Sequence, residues 1–237
     1  MRVDFNRGAV IFSQTQTFIV EELEQRRHLA ATLLSAYYPL IRSSTWSYKV
    51  IENGHHSTRT DTIRGRMTRV HGESAFRVLH KYSDRADNYD LDNYSQSGQI
   101  QWHRLGDVSF TPQMILPRLA RWRQHAHSEG TAVVSGAFRP EGQYTVKFTV
   151  LKAERIKVPA GTFSCIRVRM DLEMNVSHHD AQGDISIIVA SIATSWWAKG
   201  IGVVKEVATS RAEAMINGSN QVKVTLTTTT LSSYHIG

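Results

Sequence analysis

The chain has 237 residues, of which 41% are hydrophobic and 21% charged, a composition typical of folded globular proteins. Lysine and arginine outnumber aspartate and glutamate by 28 to 21, giving a formal net charge of +7. The single cysteine excludes an intrachain disulfide, and no apolar run approaches the ~20 residues of a transmembrane helix. The basic excess favours acidic partners. The lysine and arginine residues are dispersed along the chain, however, so nucleic acid is not the expected partner.

The N-terminal segment, residues 1–36, is predicted to contain one α-helix. Thr17 suits the N-cap, and apolar side chains recur near the helical period from Phe18 to Ala36. Pro39 then ends the pattern. We expect this helix to pack on a sheet face, with residues 37–237 forming the β-domain of one structural unit.

From Thr45 onward the pattern is that of a meandering antiparallel sheet, made of short strands separated by turn residues. Asn53-Gly54 is a hairpin turn signal, and a strand is predicted from Ser57 to Val70. The polar stretch 83–98, with its acidic cluster, is expected to be a solvated loop. The apolar segment Pro112–Trp122 is expected to cross the sheet edge as a loop or a short helix.

The C-terminal half has the clearest strand signals. Apolar and polar residues alternate from Ile166 to Val176, which predicts one buried and one wet face. The segment Ile185–Trp197 is apolar on both faces, so that strand is predicted to be central or covered on both sides. Pro159 and Gly161 suit a hairpin turn, because proline presets φ and glycine supplies a positive φ.

Four motifs in chain order resemble those of bacterial envelope β-proteins and lipoproteins of largely unassigned function. The motifs are Tyr37–Leu40, Thr45–Tyr48, Val158–Phe163 and Trp197–Val204. The resemblance implies a mostly β fold similar to the LolA/LolB lipoprotein carriers. That fold is a single strongly curved antiparallel sheet (half-barrel) with an N-terminal α-helix and a short crossing helix or loop. It also implies a location in the cell envelope, on its periplasmic or extracellular face, and supplies no catalytic residues. A cytoplasmic location stays open, because the sequence shows no complete signal peptide.

The sequence predicts no enzyme, no cofactor and no metal site. It contains no nucleophile elbow, phosphate-binding loop or dinucleotide fingerprint. His55-His56 and His178-His179-Asp180 could ligate a metal only if two loops met and a carboxylate such as Asp61 joined them, so exposed loop histidines are the expectation. Cys165 is expected to be an inert, buried thiol.

Six aromatic residues are the candidate ligand-binding set, because a concave sheet face must be filled by its own side chains or by a ligand. The expected function is a non-catalytic, envelope-associated structural or interaction subunit with protein partners, favoured by threonine-rich strand surfaces. One alternative is a carrier or sensor of a lipid or apolar ligand in the concave face. A second alternative is binding to an anionic polymer or a membrane surface. The six residues are Trp46, Tyr48, Trp102, Trp122, Trp196 and Trp197.

Overall fold

A computed structural model describes residues 37–70, 73–84, 89–96, 100–117, 123–136, 138–180 and 183–237. These residues form twelve β-strands and no helix: β1 Thr45–Glu52, β2 His55–Val70, β3 Glu73–Tyr82, β4 Tyr89–Gln96, β5 Ile100–Leu105, β6 Val108–Ile115, β7 His125–Val134, β8 Glu141–Val158, β9 Gly161–Asp180, β10 Gly183–Ala198, β11 Gly202–Ile216 and β12 Ser219–His235.

All twelve strands belong to one antiparallel sheet in which each strand pairs with its neighbours in the chain. β1 also pairs with β12, from Thr45 opposite His235 to Glu52 opposite Thr227, and with β2 on its other side. The sheet therefore closes into a barrel. A mostly β, single-sheet fold is confirmed. An open half-barrel is not, because the first and last strands hydrogen-bond to each other.

The alternation along the strands decides which side chains face the interior. On β9 the apolar series beginning at Ile166 faces inward, with Val168 and Val176 buried, while Arg169 and Glu173 face outward and are exposed. The predicted turns have the backbone that their residues permit. Asn53-Gly54 and Asn217-Gly218 take positive φ at both positions, as a two-residue hairpin of type I′ requires.

Two sequence expectations were wrong in the middle of the chain. Part of the polar stretch 83–98 is strand β4, which pairs with β3 from Ala75 to Lys81. Backbone pairing with β3 and β5 stabilises β4, although its sequence lacks an alternation of apolar and polar residues. Pro112 lies within strand β6, just after the last residue that pairs with β7. Its missing N–H therefore interrupts no β6–β7 pair. Gly130 leaves room for it, since a Cβ there would overlap Thr111 and Pro112.

The predicted helix Phe18–Ala36 and the segment 118–122 lie outside the described residues. No helix among those residues is long and apolar enough to cross a membrane. β10 has a hydrogen-bonded neighbour on each side, β9 and β11, as predicted for a central strand. Its outer face is not covered by any described residue, because the side chains of Ile188 and Ile192 are 49% and 48% exposed.

Aromatic side chains pack around Tyr38 at the end of the barrel where β1 begins. The Tyr38 ring stacks on Trp46 at 5.5 Å and meets Trp197 edge-on at 5.8 Å, measured between ring centroids. Gly202 lies directly beneath it, where an added Cβ would come within 2.9 Å of Tyr38 Cδ2. The motifs Tyr37–Leu40, Thr45–Tyr48 and Trp197–Val204, which are distant in sequence, therefore meet in one packed cluster.

Replacing Gly202 by alanine tests this cluster. Gly202 has φ +107° and contacts Tyr38, whereas Gly200, two residues earlier, has φ +72° and no atom within 4 Å of its added Cβ. We expect Gly200→Ala to lower the free energy of unfolding by about 1 kcal/mol, and Gly202→Ala by about 3 kcal/mol, because steric overlap adds to backbone strain. Urea unfolding measures both values. Equal losses would show that Tyr38 does not press on Gly202.

Candidate functional site

The barrel interior contains a cavity of about 330 Å³ that is partly open to solvent. Side chains from strands on all sides of the ring line it. Aromatic and aliphatic groups form much of the wall, among them Trp102, Phe148 and Met170. A polar sector completes it on β1, β2, β3 and β11. The members of this sector, which we call the polar sector throughout, are Tyr48, Arg59, Asp61, His80 and Glu206.

Asp61 is the centre of the polar sector. Its Oδ1 lies 2.7 Å from His80 Nδ1 and 2.9 Å from Arg59 Nε, and its Oδ2 accepts a hydrogen bond from Arg59 Nη2 at 3.1 Å. Because a carboxylate can only accept, the hydrogen bond with His80 requires the proton on Nδ1. Asp61 and His80 are both buried. The carboxylate thus holds two other side chains in fixed positions.

Strand register brings this sector together. Arg59 and Asp61 are two residues apart on β2, so both point inward while the threonines between and beside them point outward. Asp61 is directly opposite His80 on β3, and Arg59 is opposite Tyr48 on β1. Opposite residues in an antiparallel pair project on the same face. The guanidinium carbon of Arg59 consequently lies 4.9 Å from the centre of the Tyr48 ring.

Burial and neighbouring charges fix the protonation of two members. Burial raises the pKa of Tyr48 well above its usual value, as does the nearby Asp61. Tyr48 is therefore a neutral phenol, and its hydroxyl donates to the carbonyl of Val203 at 3.0 Å. Burial alone would lower the pKa of Arg59, but Asp61 and other neighbours, Glu206 included, raise it well above its usual value. Arg59 is therefore always charged.

The structure divides the six predicted aromatic residues. Tyr48, Trp102 and Trp197 line the cavity. Trp46 is fully buried beside it and donates from Nε1 to the carbonyl of Ile201 at 2.5 Å. Trp196 is on the outer face, where its Nε1 donates to Glu154 at 2.7 Å. Trp122 lies outside the described residues.

Sequence reasoning missed the charged members of the site. From the sequence, Asp61 is a candidate only as a metal ligand beside the loop histidines, and Arg59 and His80 are not candidates. The alternation from Ser57 to Ile63 could have found the pair on β2, because Ile63 is buried and every second residue before it shares its face. His80 needed the register of β3, which the sequence does not supply.

The histidines weighed as metal ligands lie apart from this cavity. His55 is 3.5 Å from Asp84, and the exposed His179 is 3.1 Å from Asp184. Within the described part of the chain, no three histidine, cysteine or acidic side chains are placed to hold a metal ion. Cys165 is buried, and burial, with a smaller effect of Glu154, raises its pKa to about 12. A thiol with such a pKa is a poor nucleophile at neutral pH.

Comparisons with known proteins give a fold and a partial family match. A family model described as DUF3108-like matches residues 144–219, which is less than half of the chain. Two solved structures are similar. One, from Parabacteroides distasonis, is named a "putative lipoprotein" (TM-score 0.51, 13% identity, 86% of this chain and 99% of that one). The other, from Bacteroides fragilis, is named a "putative exported protein with YmcC-like fold" (TM-score 0.52, 12% identity, 86% and 100%). No curated protein matches.

These similarities do not single out the LolA-like carriers. At 12–13% identity the two solved structures show a shared fold and nothing about a shared ligand. The class that the fold and the cavity define is a single-sheet β-protein with a hollow, partly polar interior.

Asp61→Asn tests whether the polar sector stabilises the barrel. Removing the carboxylate charge leaves Arg59 inside the wall without its ion-pair partner, which typically costs 3–5 kcal/mol for a fully buried pair. The Arg59 side chain is 21% exposed, so solvent screening reduces this, and we expect a loss of about 2 kcal/mol in urea unfolding.

The matched control is Asp171→Asn, which breaks the exposed Arg169–Asp171 pair at 2.6 Å. An exposed pair contributes less than about 1 kcal/mol. Equal losses in the two variants would mean that the cavity wall is as well solvated as the outer surface.

Proposed function

We propose that this protein binds one small amphiphilic molecule inside the barrel, as a carrier or sensor in the cell envelope. The supporting observation is the cavity of about 330 Å³. Ligand pockets in proteins range from about 300 to 1,000 Å³. Protein interiors otherwise contain few voids larger than a water molecule.

The composition of the cavity wall favours an amphiphilic ligand over a purely apolar or a purely polar one. Trp102, Phe148 and Met170 offer a surface that water wets poorly, and an apolar chain would release that water. The polar sector offers Asp61 and His80 at fixed positions. Such a combination of apolar wall and few oriented polar groups is typical of small-molecule sites.

Ala193→Phe tests the proposal by filling the cavity. Ala193 lines it and is buried, so a phenyl group at this position would occupy the volume needed by a ligand. Ala190, on the same strand, is exposed on the outer face, and Ala190→Phe is the matched control. The measurement is fluorescence enhancement of N-phenyl-1-naphthylamine, an apolar probe, on titration with protein.

We expect the unchanged protein and Ala190→Phe to bind the probe with similar affinity, and Ala193→Phe to bind it at least about tenfold more weakly. Circular dichroism establishes that both variants are folded. Binding by a folded Ala193→Phe at the original affinity would place the probe elsewhere and contradict the proposal.

A structural or interaction subunit, the function expected first from the sequence, stays a prediction and is our second candidate. It is favoured by apolar side chains, each about half exposed, on the outer faces of β10, β11 and β12; the Arg211–Glu213 pair of β11 divides them into smaller patches. These apolar side chains are Ile188, Ile192, Met215, Val222, Val224 and Leu226. Patches of this kind are typical of protein–protein contacts. A strictly monomeric protein with no co-purifying partner in light scattering would count against this candidate.

The location in the envelope belongs to the proposal as well. It is supported by the words "lipoprotein" and "exported" in the names of the two similar structures. Binding of an anionic polymer or membrane surface stays a prediction from the net charge of +7. We also propose that the protein is not an enzyme, as we expect from its sequence.

A further inference from the structure

The charge of the cavity wall is opposite in sign to the charge of the protein. Among the described residues that line the cavity, one guanidinium, that of Arg59, is accompanied by two carboxylates, those of Asp61 and Glu206. The charges of Arg59, Asp61 and Glu206 together therefore sum to one net negative charge. The chain as a whole carries +7, and its outer faces display many of the cations, such as Arg169 and Lys205.

The guanidinium of Arg59, among the described residues that line the cavity, is already paired with Asp61. Arg59 Nη2 donates to Asp61 Oδ2, and Arg59 Nε lies 2.9 Å from Asp61 Oδ1. The guanidinium also lies over the Tyr48 ring. Glu206 lies close enough to Arg59 to raise its pKa. An incoming carboxylate or phosphate would have to compete with these two protein carboxylates for the guanidinium. It would also meet their repulsion in an environment that screens charge poorly.

Aromatic groups also line the cavity and favour a cation. Tyr38, Tyr82, Trp102, Phe148 and Trp197 all contribute to the wall. The negative face of an aromatic ring attracts ammonium groups, most strongly when water is excluded. The net negative charge and the aromatic lining thus favour the same kind of head group.

We propose that the ligand of this cavity is a cationic amphiphile, an alkyl chain with an amine or ammonium head group held near Glu206 and Asp61. The inference rests on the proposed function and specifies its ligand class. It runs against the expectation of an anionic partner, which was drawn from net charge and applies only to the outer surface.

The test uses three probes with the same ten-carbon chain: decylamine, decanol and decanoate. Each competes with N-phenyl-1-naphthylamine for the full-length protein at pH 7.5, below the critical micelle concentration. We expect decylamine to bind on the order of tenfold more tightly than decanoate, with decanol between them. The net negative charge of the wall attracts the ammonium head group of decylamine and repels the carboxylate of decanoate.

Glu206→Gln removes the net negative charge of the wall and should abolish most of the preference for decylamine over decanoate. The matched control is Glu213→Gln on the outer face of the same strand, where Glu213 pairs with Arg211; it should leave the preference unchanged. If Glu206→Gln does not fold, Ser191→Asp adds a negative charge to the wall and should increase the preference.

The outcomes separate the two proposals. Equal binding of the three probes, or tighter binding of decanoate, overturns the charge preference and leaves the binding function intact. A preference that persists undiminished in a folded Glu206→Gln, or that does not grow in a folded Ser191→Asp, overturns it too. Failure of all three probes to compete overturns both proposals.

Discussion

Two hydrogen bonds inside the barrel hold the strand on which its closure depends. Trp46 and Tyr48, on the inner face of β1, donate to the carbonyls of Ile201, just before β11, and Val203, at its start. Both side chains reach past β12, which lies between these strands. β1 has only eight residues, so these bonds and the packing of Tyr38 on Trp46 supplement its backbone pairing. A barrel without a seated β1 would have two free edges, and such edges pair with other chains.

Closure also explains why charged residues can occupy the interior. Once β1 is fixed, β2 follows it in register, and the inward positions of β2 include Arg59 and Asp61. Burying charges is costly unless they are paired, and His80 on β3 completes the pairing. Arg59, Asp61 and His80 pair with one another, and they occupy inward positions that apolar side chains would otherwise fill. A cavity with a polar wall follows from the order of residues on three adjacent strands.

The sequence predicted the parts of the fold that local chemistry decides. Alternation predicted the faces of β9, and Asn53-Gly54 predicted a tight turn. It did not predict strand β4 or closure of the sheet, because both depend on pairing between strands and not on the pattern within one. For the site, the sequence placed Trp196 and Trp197 in the same candidate set, because it does not show which face of their strand lies inside the barrel. Net charge does not distinguish inner from outer positions, so it gave no information about the charge of the cavity wall.

The central claim is that the barrel interior holds a small molecule. Native mass spectrometry of the protein isolated under non-denaturing conditions from its natural source, followed by organic extraction, tests this most directly. The account predicts a mass above that of the polypeptide by one small molecule, and an extract containing an amine-bearing amphiphile in near-equimolar amount. A bare polypeptide mass under gentle ionisation, with an empty extract, would contradict it.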